Sequence, residues 1–157
     1  MAIQVGQQAP DFTLRDTEKK KVTLSDYKGQ NVLLLFYPLA FTSVCTTELC
    51  GVRDNIAYYN NTVKAEVFGI SVDSLFSNKR FKEDLNLNFT LLSDFNKEAS
   101  TAYDTIYAEW YNDMKGVGKR SAFVIDKEGI VRYAEVLEDT MLVPDFNAIH
   151  KVLEGLN

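Results

Sequence analysis

Val32-Leu33-Leu34-Leu35-Phe36-Tyr37-Pro38-Leu39-Ala40-Phe41-Thr42-Ser43-Val44-Cys45-Thr46-Thr47-Glu48-Leu49-Cys50 is where one kind of order in this chain gives way to another. Val32 to Tyr37 is apolar on both alternating faces, the pattern of a strand buried on both sides of a sheet. Pro38 ends it, because proline has no N–H to give a central ladder. From Cys45 the period changes. Cys45, Leu49, Val52, Ile56 and Tyr59 recur at alternating spacings of four and three, one face of an α-helix, with Thr42 or Ser43 placed to cap its start.

The same alternation of strand and helix continues outward. Phe12, Leu14, Val22 and Leu24 flank the charged turn Asp16–Lys20 and read as an N-terminal hairpin. A buried strand is expected over 63–72, then an Asp73-Ser74 cap and a short helix carrying Phe81 and Leu85. A strand near Phe89–Leu92 and a helix carrying Ala99, Ala102, Tyr103 and Ile106 follow. The last third predicts a strand over 122–125, a turn at Asp126-Lys127-Glu128-Gly129, and a strand over 130–136. A final helix begins at Pro144, carries Phe146, Ile149 and Leu153, and stops at Gly155. The chain reads as α/β, a mixed central sheet flanked by helices. No repeat or low-complexity linker divides residues 1–157, which read as one domain.

Composition narrows the function. The chain has 157 residues, 17 basic and 22 acidic side chains and a net charge of −5, which argues against nonspecific nucleic-acid binding. No basic-then-apolar leader opens it, and its apolar runs fall short of the roughly 18 residues of a membrane span, so a soluble, cytoplasmic protein is expected. Two cysteines and one histidine cannot furnish a four-ligand zinc site without carboxylates. They allow at most one disulfide, and in a reducing compartment paired cysteines are more often chemical than structural. No cofactor or metal is expected.

Cys45 holds the informative position. A helix start offers free N–H groups and a positive dipole end, which favour thiolate over thiol, and a loop beside it leaves the sulfur reachable. Thr42, three residues earlier, either caps the helix or orients a polar substrate. Glu48, one turn later, suits the first-turn dipole but opposes a thiolate unless a cation neutralises it. His150 raises a Cys–His hydrolase as a rival, with no third orienting residue to complete it. A thioredoxin-type dithiol reductase wants Cys-x-x-Cys, where this chain has Cys45-x-x-x-x-Cys50. The aromatic cluster from Tyr103 to Tyr111, including Trp110, belongs either to the core or to a pocket mouth or dimer contact.

Pro38-x-x-x-Thr42-x-x-Cys45, with Glu48 following and Arg120 in Lys119-Arg120-Ser121-Ala122-Phe123-Val124-Ile125-Asp126, resembles the active-site pattern of the peroxiredoxins. These are thiol peroxidases on a thioredoxin-like fold. The opening Gly6-x-x-Ala9-Pro10-Asp11-Phe12 is similar to the family's usual entry. The resemblance implies that Cys45 is the peroxidatic cysteine, oxidised by a hydroperoxide to sulfenic acid. Arg120 activates it, Thr42 and the backbone N–H of Cys45 hold the peroxide, Glu48 fixes the guanidinium, and Pro38 shields the sulfur. Thioredoxin or a similar thiol reductant is the implied partner, and relatives occur as monomers and homodimers.

Cys50 has two readings. Five helical residues from Cys45 it stands about 7.5 Å along the axis and about 140° around it. The Cα atoms are then roughly 8–9 Å apart, beyond the ~7 Å reach of a disulfide, so a bond requires the first turns to unwind. The Cys-x-x-x-x-Cys spacing resembles the Q-type, or bacterioferritin-comigratory, branch, which implies that Cys50 resolves Cys45 as a disulfide. Pro-Leu-Ala-Phe-Thr and Glu-Leu-x-x-x-Arg-Asp resemble the AhpE-type branch, whose members often lack such a partner and leave Cys50 inert. Gly51 either eases unwinding or marks close packing against a neighbour. A redox-inert thioredoxin-like binding module is the alternative of another class.

Overall fold

The computed structural model describes residues 3–157. Seven strands form one sheet: β1 (Thr13–Asp16), β2 (Lys21–Thr23), β3 (Asn31–Phe36), β4 (Ala65–Ser71), β5 (Thr90–Ser93), β6 (Ser121–Ile125) and β7 (Val131–Val136). Their order is β2-β1-β5-β4-β3-β6-β7. β3, β4 and β5 run parallel, as strands joined by helices must, while β6 lies antiparallel to β3, β7 to β6, and β1 to both β2 and β5. The expected hairpin is present and extends the sheet through β5.

β3 explains why both faces are covered. All six of its residues are buried. Leu33 and Leu35 enter one core with Cys45, Leu49, Val52, Val124, Ile149 and Leu153. Val32, Leu34 and Phe36 enter the other with Leu14, Phe68, Leu92, Tyr103, Phe123 and Val131. A period of two on a strand thus feeds two separate cores.

Among the described residues four α-helices accompany the sheet: α1 (Ser43–Asp54), α2 (Leu75–Leu85), α3 (Glu98–Ala102) and α4 (Phe146–Gly155). Several bounds differ from the sequence reading. α1 starts at Ser43 and stops at Asp54, where the Asn55 side chain donates to the Gly51 carbonyl (2.9 Å) and competes with further helix. Tyr59, expected on the helical stripe, is buried instead in a π-helical turn, Tyr58–Thr62. α3 ends before Ile106, because Asp104 takes a left-handed φ of 54° and Ile106 bridges to Gly118. α4 is capped by Asp145, whose Oδ1 accepts from the Ala148 N–H (3.1 Å), leaving Pro144 outside. Among the described residues no helix is long and apolar enough to cross a membrane.

This topology decides where chemistry is possible. β3 delivers the chain to the loop before α1, and antiparallel β6 begins beside the end of β3, with Ser121 opposite Phe36. Arg120 therefore stands next to the first turn of α1.

Candidate active site

Arg120, Glu48 and Cys45 meet in the interior. Arg120 Nη1 donates to Cys45 Sγ (3.3 Å) and to Glu48 Oε1 (2.8 Å), and Nη2 donates to the Thr140 carbonyl (3.2 Å). The Arg120 and Glu48 side chains are 1% and 0% exposed, so neither charge has water to screen it. Glu48 Oε2 and Arg120 Nε are buried without a partner among the described residues. Burial pushes the Glu48 carboxyl up to about 7, against the lowering pull of Arg120. Burial lowers the Arg120 pKa, but the charges of Cys45 and Glu48 outweigh it and hold the guanidinium above its ordinary value.

Cys45 is itself buried, at 0% exposure, and the expectation of a reachable sulfur is corrected. Cys45, Leu49 and Val52 share one stripe of α1, so the thiol faces the core rather than the loop. Pro38 and Ala40, in the loop before α1, are buried as well, and Ala40 joins the core cluster that holds Cys45.

Thr42 occupies the N-cap position without capping. Its Oγ1 donates to the Leu39 carbonyl (2.9 Å), which leaves the oxygen lone pairs available as acceptors. The first helical bond runs from the Thr46 N–H to the Thr42 carbonyl (2.9 Å). The amides of Ser43, Val44 and Cys45 precede it and have no intrahelical acceptor.

The loop between β3 and α1 is held from β4's end of the sheet. Phe41 has a left-handed φ of 67°, a conformation that costs an L-residue on the order of 1 kcal/mol. Asp73 Oδ2 accepts from the Ala40 N–H (2.8 Å) and from Ser71 Oγ (2.7 Å), and the Phe41 ring meets Phe81 edge-on at 5.1 Å. Asp73 was expected only as part of a cap signal. Ser74 is the cap, accepting from the Ser77 N–H (3.1 Å), and Asp73 serves the loop. Only the adjacency of the ends of β3 and β4 reveals this, and spacing in the sequence does not carry it.

Thr42, Ser43, Val44, Trp110, Tyr111, Arg120, Thr140 and Met141 line a cavity of about 270 Å³. The aromatic cluster therefore divides. Trp110 and Tyr111 face this cavity, while Tyr107 donates to the Leu137 carbonyl (3.0 Å) and Tyr103 to the Pro10 carbonyl (2.7 Å). His150 lies elsewhere, with Nε2 2.8 Å from the Tyr59 hydroxyl, and burial lowers its pKa. It pairs with no cysteine.

Cys50 is half-buried, and both cysteines are free thiols on one continuous helix. At Gly51 a Cβ would meet nothing within 4 Å, so close packing does not account for this glycine.

A model of the AhpC/TSA family matches residues 5–134. The chain is 41% identical over 137 residues to alkyl hydroperoxide reductase E of Mycobacterium tuberculosis, spanning 85% of this chain and 86% of that protein. It is 40% identical over 131 residues to peroxiredoxin Bcp of Bacillus subtilis, spanning 82% of each. Among solved structures it is similar to peroxidoxin BcpB from Mycobacterium tuberculosis, with a TM-score of 0.86 over 99% of both chains at 28% identity. The thioredoxin-like fold expected from the sequence is the fold these proteins share.

The raised Glu48 carboxyl ties stability to pH. An unfolded carboxyl titrates near 4.5 and the folded one near 7, so the folded protein binds this proton more tightly. Its contribution is complete below about pH 4.5 and is lost as pH rises through about 7. Urea unfolding across that window should show a fall in stability for the native chain that Glu48→Gln lacks. An identical fall in both would contradict the assignment.

Proposed function

Since the chain belongs to the AhpC/TSA family of peroxiredoxins, thiol-dependent peroxidases, we propose that Cys45 is the thiol that meets the peroxide. One observation carries the reading: Cys45 Sγ, in the first turn of α1, accepts a hydrogen bond from the buried Arg120 guanidinium. That contact favours negative charge on sulfur and places a cation where charge develops on the peroxide oxygens.

The chemistry balances with the groups at hand. The Cys45 thiolate attacks one peroxide oxygen, an S–O bond forms as the O–O bond breaks, and the departing oxygen takes a proton to leave as water or an alcohol. Sulfur is oxidised to sulfenic acid and the peroxide is reduced by the same two electrons. Thr42 Oγ1, with its hydrogen committed to Leu39, accepts from the hydroperoxide O–H. The free amide of Cys45 and Arg120 face the oxygens, Glu48 fixes the guanidinium, and Pro38 keeps bulk water from the sulfur.

Cys50 then resolves the sulfenic acid: its thiol attacks Cys45 Sγ, an S–S bond forms and water leaves. On an intact helix the pair stand too far apart, so this step follows unwinding of α1's first turns. Open space at Gly51 supports it, because that glycine serves no packing contact and weakens the helix beside Cys50. A thioredoxin-like thiol donor returns both cysteines to the reduced state. With Cys50 inert, an external thiol takes its place.

Two experiments test these assignments. Stopped-flow reduction of hydrogen peroxide should be abolished in Cys45→Ser and slowed about 10²–10³-fold in Arg120→Ala, the scale of losing one preorganised donor. Because Arg120→Ala also strands the buried Glu48, Arg120→Lys, which keeps the charge without the fork, should fold normally and still be slow. A near-native rate in both would remove Arg120 from the reaction. Gly51→Ala adds about 1 kcal/mol of helix stability, so disulfide formation should slow about fivefold while the peroxide step is unchanged. An unchanged second step would contradict resolution through unwinding.

A further inference from the structure

A single peptide group stands between the end of the sheet and Thr42. The Leu39 carbonyl and the Ala40 N–H belong to one planar unit, so fixing either end fixes the direction of the other. At one end Thr42 Oγ1 donates to the Leu39 carbonyl (2.9 Å). At the other the Ala40 N–H donates to Asp73 Oδ2 (2.8 Å). The left-handed Phe41 (φ 67°) turns the chain back so that the Thr42 hydroxyl meets this peptide. Asp73 therefore stands one peptide away from Thr42, although it is remote in the sequence.

Asp73 is itself held from two strands. Ser71 Oγ, at the end of β4, donates to the same Oδ2 (2.7 Å), and the Asp73 N–H donates back to Ser71 Oγ (3.3 Å). Ser93 Oγ, at the end of β5, donates to the Asp73 carbonyl (2.6 Å). Behind them Ser71 Oγ lies 3.3 Å from Asn78 Oδ1 of α2, which accepts from the buried Tyr37 hydroxyl (2.8 Å). The carboxylate is thus aimed at the loop by groups that are part of the sheet and its covering helix.

A threonine hydroxyl has one hydrogen and two lone pairs. Free to rotate, it presents a hydrogen to an incoming peroxide as readily as a lone pair. With its hydrogen committed to Leu39 it presents only an acceptor. A carboxylate on the N–H also polarises the peptide and strengthens its carbonyl for that commitment.

We propose that Asp73 is a positioning residue for peroxide reduction: by holding the Ala40 N–H it aims the Leu39 carbonyl at Thr42 Oγ1 and keeps Thr42 an acceptor for the hydroperoxide O–H. The proposal rests on the peroxidase reading of Cys45 and on the part Thr42 takes in it. Asp73 touches no reacting atom, and no proton or electron of the reaction passes through it.

Stopped-flow oxidation of Cys45 by hydrogen peroxide in four proteins tests it: native, Asp73→Ala, Thr42→Val and the double variant. Asp73→Ala should lower the second-order rate constant about tenfold, the worth of one hydrogen bond to a charged group. In Thr42→Val the hydroxyl is gone, so adding Asp73→Ala should cost less than about twofold more. The same tenfold cost in both backgrounds would show that Asp73 merely supports the loop, and would overturn the proposal. A native rate in Asp73→Ala would do so too. Asp73→Asn keeps an oxygen acceptor for Ala40 and should recover most of the lost rate; a rate as low as that of Asp73→Ala would contradict an effect carried by this bond. Should Asp73→Ala fail to fold, Ser71→Ala frees the carboxylate and should slow the native chain about two- to threefold. That loss should vanish in Thr42→Val, and its persistence there would overturn the proposal equally. A native protein whose Cys45 ignores hydrogen peroxide would instead sink the peroxidase reading, and the proposal with it.

Discussion

A single buried guanidinium holds this site together. Arg120 joins the start of β6 to the first turn of α1, 75 residues earlier in the chain, and its other arm reaches the Thr140 carbonyl beyond β7. Burying a charged pair costs several kcal/mol per ion before any attraction is counted, and much of that cost is offset here by good geometry and multiple donors. The offset is incomplete, because Glu48 Oε2 and Arg120 Nε have no partner among the described residues. Burial keeps the Glu48 carboxyl near 7 despite the lowering pull of Arg120. Well-packed hydrophobic residues of similar size are often at least as stable in such places, which favours the role proposed for the pair at Cys45 over a purely structural one.

α1 carries two opposed demands. In the proposed reaction its start must be rigid, because the unbonded amides and the Cys45 sulfur would act only when fixed relative to Arg120. Buried Leu49 and Val52 anchor the helix to the core, and Asp73 with Phe81 braces the loop that enters it. The same turns must loosen if Cys50 is to reach Cys45. The exposed Gly51 and the left-handed Phe41 place weak points on either side of the segment that would move, while the core contacts would oppose the motion. Under the proposed two-cysteine mechanism, the balance between these would set the rate of resolution relative to peroxide attack.

Much of this was legible in the sequence. The unbroken apolar run of β3, the stop at Pro38 and the four-three spacing after Cys45 fixed the strand–loop–helix unit, since both periods follow directly from backbone geometry. What failed did so through local polar competition. Asn55 and the left-handed Asp104 shortened helices whose apolar periodicity ran on, and Thr42 turned its hydroxyl to Leu39 instead of capping. The site's long-range parts were opaque to spacing alone. Arg120 is an ordinary strand-edge charge until β6 is laid against β3, and its recognition came from resemblance to a family. Asp73 and the Thr140 carbonyl were invisible even so, because their roles exist only where separate chain segments converge. The burial of Cys45 follows from the stripe it shares with Leu49 and Val52, which turns the thiol toward the core although the helix starts beside a loop.

The claim on which everything else rests is that the buried, Arg120-bonded Cys45 is the first atom of the chain to take up oxidising equivalents. Peptide-level mass spectrometry on the reduced protein, quenched at short times after one equivalent of hydrogen peroxide, tests it most directly. The account predicts oxygen first on Cys45, followed by a Cys45–Cys50 disulfide with no oxidised Cys50 intermediate. Oxidation that begins at the more exposed Cys50, or that spreads evenly over both thiols, would contradict it.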